Sequence, residues 1–128
     1  MSDSPETDEK APRRPRRASA GPSTLQRSRE ALEAAGYHVE VVEQNRRVGN
    51  KAWKVDLWGW ADLLAIRRGE VLAVQTTSAA NVPSRVRKIT ESPLLARVRE
   101  AGIRILVHGW RKPSKRSPTW TLREVDLS

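Results

Sequence analysis

The chain of 128 residues has no cysteine and no phenylalanine, one methionine and one tyrosine. Without cysteine, neither a disulfide framework nor a thiolate metal site is available, so any metal must be held by oxygen or imidazole donors. Long apolar runs are also missing. Nothing is long enough to cross a bilayer, and the polar N-terminus lacks the pattern of a signal peptide, so a cytosolic setting without a membrane partner is expected. Nor is there a Walker loop, a dinucleotide-binding glycine pattern, a nucleophile elbow or a His-Glu-x-x-His helix. His38 and His108 have no metal-ligand spacing to each other and receive no role.

Basic residues are plentiful. The net charge is +9 and the pI near 11, which predicts attraction to polyanions, nucleic acid above all. Residues 1–22 hold five Lys/Arg against four Asp/Glu, while residues 23–128 hold nineteen against eleven. The excess therefore belongs to the segment expected to fold. Residues 1–22, rich in Pro, Ser, Ala and charge, cannot bury enough surface to offset ordering entropy and are expected to be disordered. The Arg/Pro run at 13–17 within them is a possible phosphate contact. Residues 23–128 are expected to form one domain.

Ser23 or Thr24 can cap a helix running to Ala35, with Leu25, Leu32 and Ala35 on one side and Gly36 as the stop. Tyr37–Gln44 alternates as a strand, with Tyr37, Val39 and Val41 on one face and Glu43 at its end. Asn45–Lys51 reads as a polar loop. Trp53–Ile66 is too long for one flat strand, and Gly59 marks a bend within it; before any bulge, Asp56, Trp58, Trp60 and Asp62 share a parity. Val71–Val74 is apolar at both parities, as in a central strand covered on both faces. Asn81–Thr90 reads as a helix with Val82, Val86 and Ile89 inward and Arg85 and Lys88 together on another face. Ser92 and Pro93 start a further helix closed by Gly102. Ile103–Trp110 alternates, and Trp120–Leu127 supplies a last strand. The order α-β-β-β-α-α-β-β implies an α/β fold, a mixed central sheet flanked by helices, with a parallel strand pair around the helical crossover.

The most informative stretch is 56–77. Two strands are joined by a tight turn at Arg67-Arg68-Gly69-Glu70; Asp62 sits in the first and Gln75 and Thr77 interrupt the second. A carboxylate within the apolar run Ala61–Ile66 is costly to bury unless a cation or hydrogen bonds compensate it. Residues two apart point the same way, placing Gln75 and Thr77 on one face. Hairpin strands about 4.8 Å apart would let them approach Asp62.

These positions resemble the restriction-endonuclease-like fold of the PD-(D/E)XK nuclease superfamily over roughly residues 23–127. Within it, the chain is most similar to small phage and bacterial proteins of the Holliday-junction-resolvase-like branch, with a strand Asp-Leu-aromatic-Gly-aromatic-x-Asp, here Asp56–Asp62, followed by Val-Gln-x-Thr, here Val74–Thr77. The resemblance implies a Mg²⁺- or Mn²⁺-dependent nuclease acting on DNA. Asp62, Gln75 and the backbone carbonyl of Thr76 would hold the metal, with Asp56 and Glu43 completing the negative pocket. Thr77 would occupy the position of the superfamily's lysine. Two departures stand out. Gln75 offers a neutral carbonyl where an acid would favour a hard cation, and Thr77 brings no charge. Lys88, or next Arg85, is the expected replacement cation, so Asp62, Gln75, Thr77 and Lys88 form the expected catalytic set. The first-helix acid has two weak matches, Gln26 and Glu30. Arg85, Arg87 and Lys88 are expected phosphate contacts, and Trp58 or Trp60 a possible stacking surface for an unpaired base.

The same substitutions are compatible with a catalytically inactive nucleic-acid-binding protein on this fold. A third reading is a phage accessory or interaction protein whose charge serves an acidic partner. Dimerisation is left open.

Overall fold

The computed structural model describes residues 21–128; the expected disordered tail, apart from its last two residues, and the basic run at 13–17 lie outside them. Helix α1 spans Thr24–Ala34. Strands β1 (His38–Val41), β2 (Gln44–Val48), β3 (Lys51–Val55), β4 (Leu63–Arg67) and β5 (Glu70–Ser78) follow. A 3₁₀ turn at Ala79–Asn81 leads into α2 (Val82–Thr90), then α3 (Leu95–Glu100), β6 (Arg104–Arg111) and β7 (Thr121–Asp126). The protein is mixed α/β. Its main sheet has five strands in the order β1-β4-β5-β6-β7, with β5 and β6 parallel and the other neighbours antiparallel. No helix among the described residues is long and apolar enough to cross a membrane.

The run Val71–Val74 explains the layering. Leu72 and Val74 pack with Leu32 of α1, Val39, Leu63 and Leu106, whereas Ala73 packs with Val82 and Ile89 of α2 and Leu95 and Val98 of α3. Helices therefore cover both faces, and the strands between them need apolar residues at both parities. Ile103–Trp110 was expected to alternate, but Ile105 to Gly109 are buried without interruption. As the parallel neighbour of β5, β6 is central too. Gly109 is where α2 comes closest: a Cβ there would lie 2.2 Å from Val82 Cγ2 and 3.2 Å from Ala79 Cα.

Ser23 is the cap of α1, its hydroxyl accepting from the Gln26 N–H at 3.1 Å. The helix stops at Ala34, and Ala35 is exposed rather than packed. β1 is shorter than expected, four residues with only Val39 buried. The start of α3 also shifts. Ser92 accepts from Leu94 N, but the helix itself begins at Leu95, because Pro93 and Leu94 complete a turn first.

The largest correction lies at 44–62. The supposed polar loop is half of a β-hairpin, β2 paired with β3 from Gln44↔Val55 to Val48↔Lys51, turning through Gly49 and Asn50. It forms its own two-stranded sheet. Trp53–Ile66 is therefore two strands separated by a reversal at 57–61, not one bent strand. There Trp58 (φ 59°) and Gly59 (φ 84°) are both left-handed, and Leu57 pairs with Ala61. A bulky residue in that region costs about 1–2 kcal/mol. The shared parity expected for Asp56, Trp58, Trp60 and Asp62 disappears with the reversal. With the hairpin set aside, the remaining order is the expected α-β-β-β-α-α-β-β.

A buried polar network ties α1 to the sheet. Ser28, fully buried, accepts from Trp110 Nε1 at 2.8 Å and lies 2.9 Å from His108 Nδ1, while His108 Nε2 lies 3.1 Å from Glu124 Oε2. One proton arrangement satisfies every group: Nε2–H donates to Glu124 and the Ser28 hydroxyl donates to Nδ1. Burial lowers the His108 pKa below 6.5, with Glu124 opposing the shift, so the neutral ring is favoured. The residue types are those of a nucleophilic triad, but Ser28 has no exposed surface for a substrate to reach.

Candidate metal centre

The tight turn expected at 67–70 is present, with Arg67 opposite Glu70 and Leu63 opposite Val74. Asp62 lies one residue before β4 yet extends its ladder, its N–H donating to Val74 O and its carbonyl accepting from Val42 N–H, both at 2.9 Å. Asp62 is 5 % exposed and Gln75 4 %. Gln75 Nε2 donates to Asp62 Oδ2 at 3.0 Å, the Thr76 N–H donates to the same oxygen at 2.8 Å, and the Thr76 hydroxyl lies 3.3 Å away. Three donors on Oδ2 orient the carboxylate and leave Oδ1 for other groups.

Two further acids arrive from the hairpin. Glu43 immediately precedes β2, and Asp56 immediately follows β3. Their closing strands therefore bring both to Asp62, and one carboxylate oxygen from each of Glu43, Asp56 and Asp62 lies within 4.8 Å of the others. Burial is the main force pushing the Asp62 carboxyl up to about 7; the Thr76 N–H opposes it, and Asp56 and Glu43 add to it. Such crowding of like charge favours either a shared proton or a bound cation.

The cluster opens into a cavity of about 370 Å³ lined also by Gln75, Thr76, Lys54, Arg85 and the start of α1 at Ser23 to Leu25. Gln75 Oε1 is buried without a hydrogen-bond partner. A buried carbonyl without a donor is costly; the amide turns its Nε2, not this oxygen, to Asp62. Glu43, Asp56 and Asp62 together are a set that could hold a metal ion. Thr76 holds Asp62 through its N–H and hydroxyl.

Lys88 Nζ lies 3.8 Å from Asp56 Oδ2, so α2 does deliver a cation to the cluster. Arg85, on the same helix, lines the cavity. Thr77 is buried but neither lines that cavity nor bonds to the acids. Gln26 and Glu30 bond to each other at 3.0 Å on the exposed side of α1, so neither supplies a first-helix acid. Lys54, which sequence reasoning missed, lies 3.5 Å from Glu43 Oε2. It fell within Trp53–Ile66, read as one bent strand, and no local signal pointed to its pairing with Glu43 at the foot of the hairpin.

On the far side of Lys88 a second cavity, about 510 Å³, is lined by Trp58, Trp60, Arg87, Lys88 and Pro93. Trp60, 1 % exposed, lies beneath Trp58 with ring centroids 5.6 Å apart. Trp60 is thus core, and Trp58 the partly exposed ring it supports. No family model, curated protein or solved structure matches this chain.

Proposed function

We propose that this protein is a divalent-cation-dependent nuclease of the restriction-endonuclease-like fold that hydrolyses DNA phosphodiester bonds. The observation carrying the reading is the convergence of Glu43, Asp56 and Asp62 on one cavity, with Lys88 against Asp56. The five-stranded mixed sheet, its helices on both faces and the site at the β4 and β5 ends support the fold assignment. A basic chain with an acidic cavity supports a polyanionic substrate that meets a metal.

Glu43, Asp56 and Asp62 would hold Mg²⁺ or Mn²⁺. When bound, that ion supplies Lewis acidity at a phosphate oxygen and hydroxide near neutral pH. The protein's own part is positioning and charge. Thr76 and Gln75 fix the rotamer of Asp62, so the carboxylate does not reorganise as charge builds up. Lys88, bridged to Asp56, would supply the charge absent at Thr77, and Arg85 would add a second cation. Arg87 and Trp58 line the cavity beside Lys88 and would contact a strand leaving the site.

The direct test is incubation with branched, single-stranded and duplex DNA in Mg²⁺, Mn²⁺ or EDTA. Metal-dependent cleavage lost in Asp62→Ala is expected; no cleavage with either metal, or cleavage unchanged in that variant, ends this reading. The alternative of an inactive DNA-binding protein on the same fold is favoured by one feature: Glu43 and Asp56 each have a lysine partner. It predicts salt-sensitive binding without cleavage.

A further inference from the structure

We infer that the β2–β3 hairpin is a DNA-binding arm that enters the major groove of B-form DNA and is hinged directly on the acid cluster. Residues 44–54 carry four cations, Arg46, Arg47, Lys51 and Lys54, and no acid. All eleven are exposed, and neither strand joins the main sheet. Its pairing places Arg46 opposite Trp53 and Val48 opposite Lys51 on one face, with Arg47 opposite Ala52 on the other. Val48, at the tip, is 69 % exposed and Trp53 46 %. An isolated two-stranded ribbon is marginal in water, and exposed Val and Trp are no help unless something covers them.

The charge selects a polyanion, and the shape selects the groove. Paired strands about 4.8 Å apart form a ribbon that the major groove of B-DNA, about 12 Å wide, admits. Five residue pairs reach roughly 15 Å, enough to reach the groove floor with the cations flanking it near phosphates. Glu43 and Asp56 sit at the two feet of the arm, so a seated arm would bring the phosphate backbone at the groove edge to the acids. That last placement rests on the nuclease reading; groove binding itself does not.

The test measures binding, in EDTA, of a labelled DNA duplex and a duplex RNA of equal length by anisotropy across a salt series. In Arg46→Gln/Arg47→Gln/Lys51→Gln, loss of three phosphate contacts should reduce the slope of log K against log salt by about 2–3 and weaken DNA binding about a hundredfold or more at 0.1 M salt. Duplex RNA, whose major groove is too narrow to enter, should lose less than about tenfold. Lysine at 46 and 47 should restore the slope. Trp53→Ala alone should weaken DNA binding about tenfold, a readout that survives if the triple variant fails to fold. An unchanged slope, or equal losses on DNA and RNA, overturns the proposal. Hairpin-dependent DNA binding without cleavage would uphold the arm and remove the nuclease reading. Metal-dependent cleavage by the triple variant at unaltered DNA affinity would do the reverse.

Discussion

Two polar clusters are built on the same sheet, and they differ in how completely they are satisfied. Around Ser28, His108, Trp110 and Glu124 every donor has an acceptor, and the links join α1 to β6 and β7. Around Asp62 three carboxylates crowd together, a buried carbonyl goes without a donor, and the carboxyl is pushed up to about 7. A satisfied buried network holds a fold together; an unsatisfied one costs stability and persists where a ligand completes it. The first contains the residue types of a catalytic triad and is structural, whereas the second gathers crowded carboxylates at a cavity and is the candidate site.

The largest expected effect comes from the unsatisfied cluster. Asp62→Asn should abolish divalent-cation binding in titration calorimetry and lower cleavage about a thousandfold or more, since on the proposed function the ion would contribute several kcal/mol of transition-state stabilisation. The same variant should make the metal-free protein more stable. Folding raises the Asp62 pKa from 3.8 to about 7, so the fold prefers the protonated carboxyl and loses stability as pH rises between those values. An amide removes that loss, worth about 1–4 kcal/mol at pH 7.5. A lower melting temperature in EDTA for Asp62→Asn than for the native chain would contradict the contrast between the clusters.

Next comes Lys88→Ala, which should slow cleavage about a hundredfold while metal binding stays intact. Normal rates would assign the missing charge to Arg85 or to the ion alone. In the satisfied cluster, Ser28→Ala leaves both His108 Nδ1 and Trp110 Nε1 unpartnered and should cost about 2–3 kcal/mol in denaturant unfolding, with cation affinity unchanged. The smallest effect is pH-dependent. His108 has its pKa lowered in the fold, so its neutral form stabilises the protein above about 6.5 and that contribution is lost as pH falls below it. Acid destabilisation between pH 6.5 and 5 should be shallower in His108→Gln; an equally steep profile would show that other groups dominate.

Local chemistry made much of this legible in the sequence. Cap and stop signals at Ser23 and Gly36 bounded α1, and the apolar faces of α2 were readable from their spacing. Val71–Val74 announced a doubly covered strand, and Asp62 stood out because a carboxylate in an apolar run needs a reason to be there. What went unread depended on partners distant in sequence. Gln44–Val55 has no alternation because nothing covers it, so a solvated hairpin looks like a loop until its two halves pair. Trp58 accepts a left-handed backbone because the chain must reverse there, and that reversal erased the parity drawn through Asp56 and Asp62.

The sequence by itself determined a cysteine-free, basic α/β chain, its helix boundaries to within a residue or two, its central strand, and Asp62, Gln75 and Lys88 as residues to watch. Glu43 and Asp56 were expected beside Asp62 from the resemblance alone; the tertiary structure decided how the hairpin brings them there, that Lys88 rather than Thr77 reaches the acids, and that His108 ties α1 to the sheet. Side-chain periodicity records which face a residue takes within one element. Convergence of carboxylates from three segments is settled by strand pairing and packing, which act across the chain and leave no local trace.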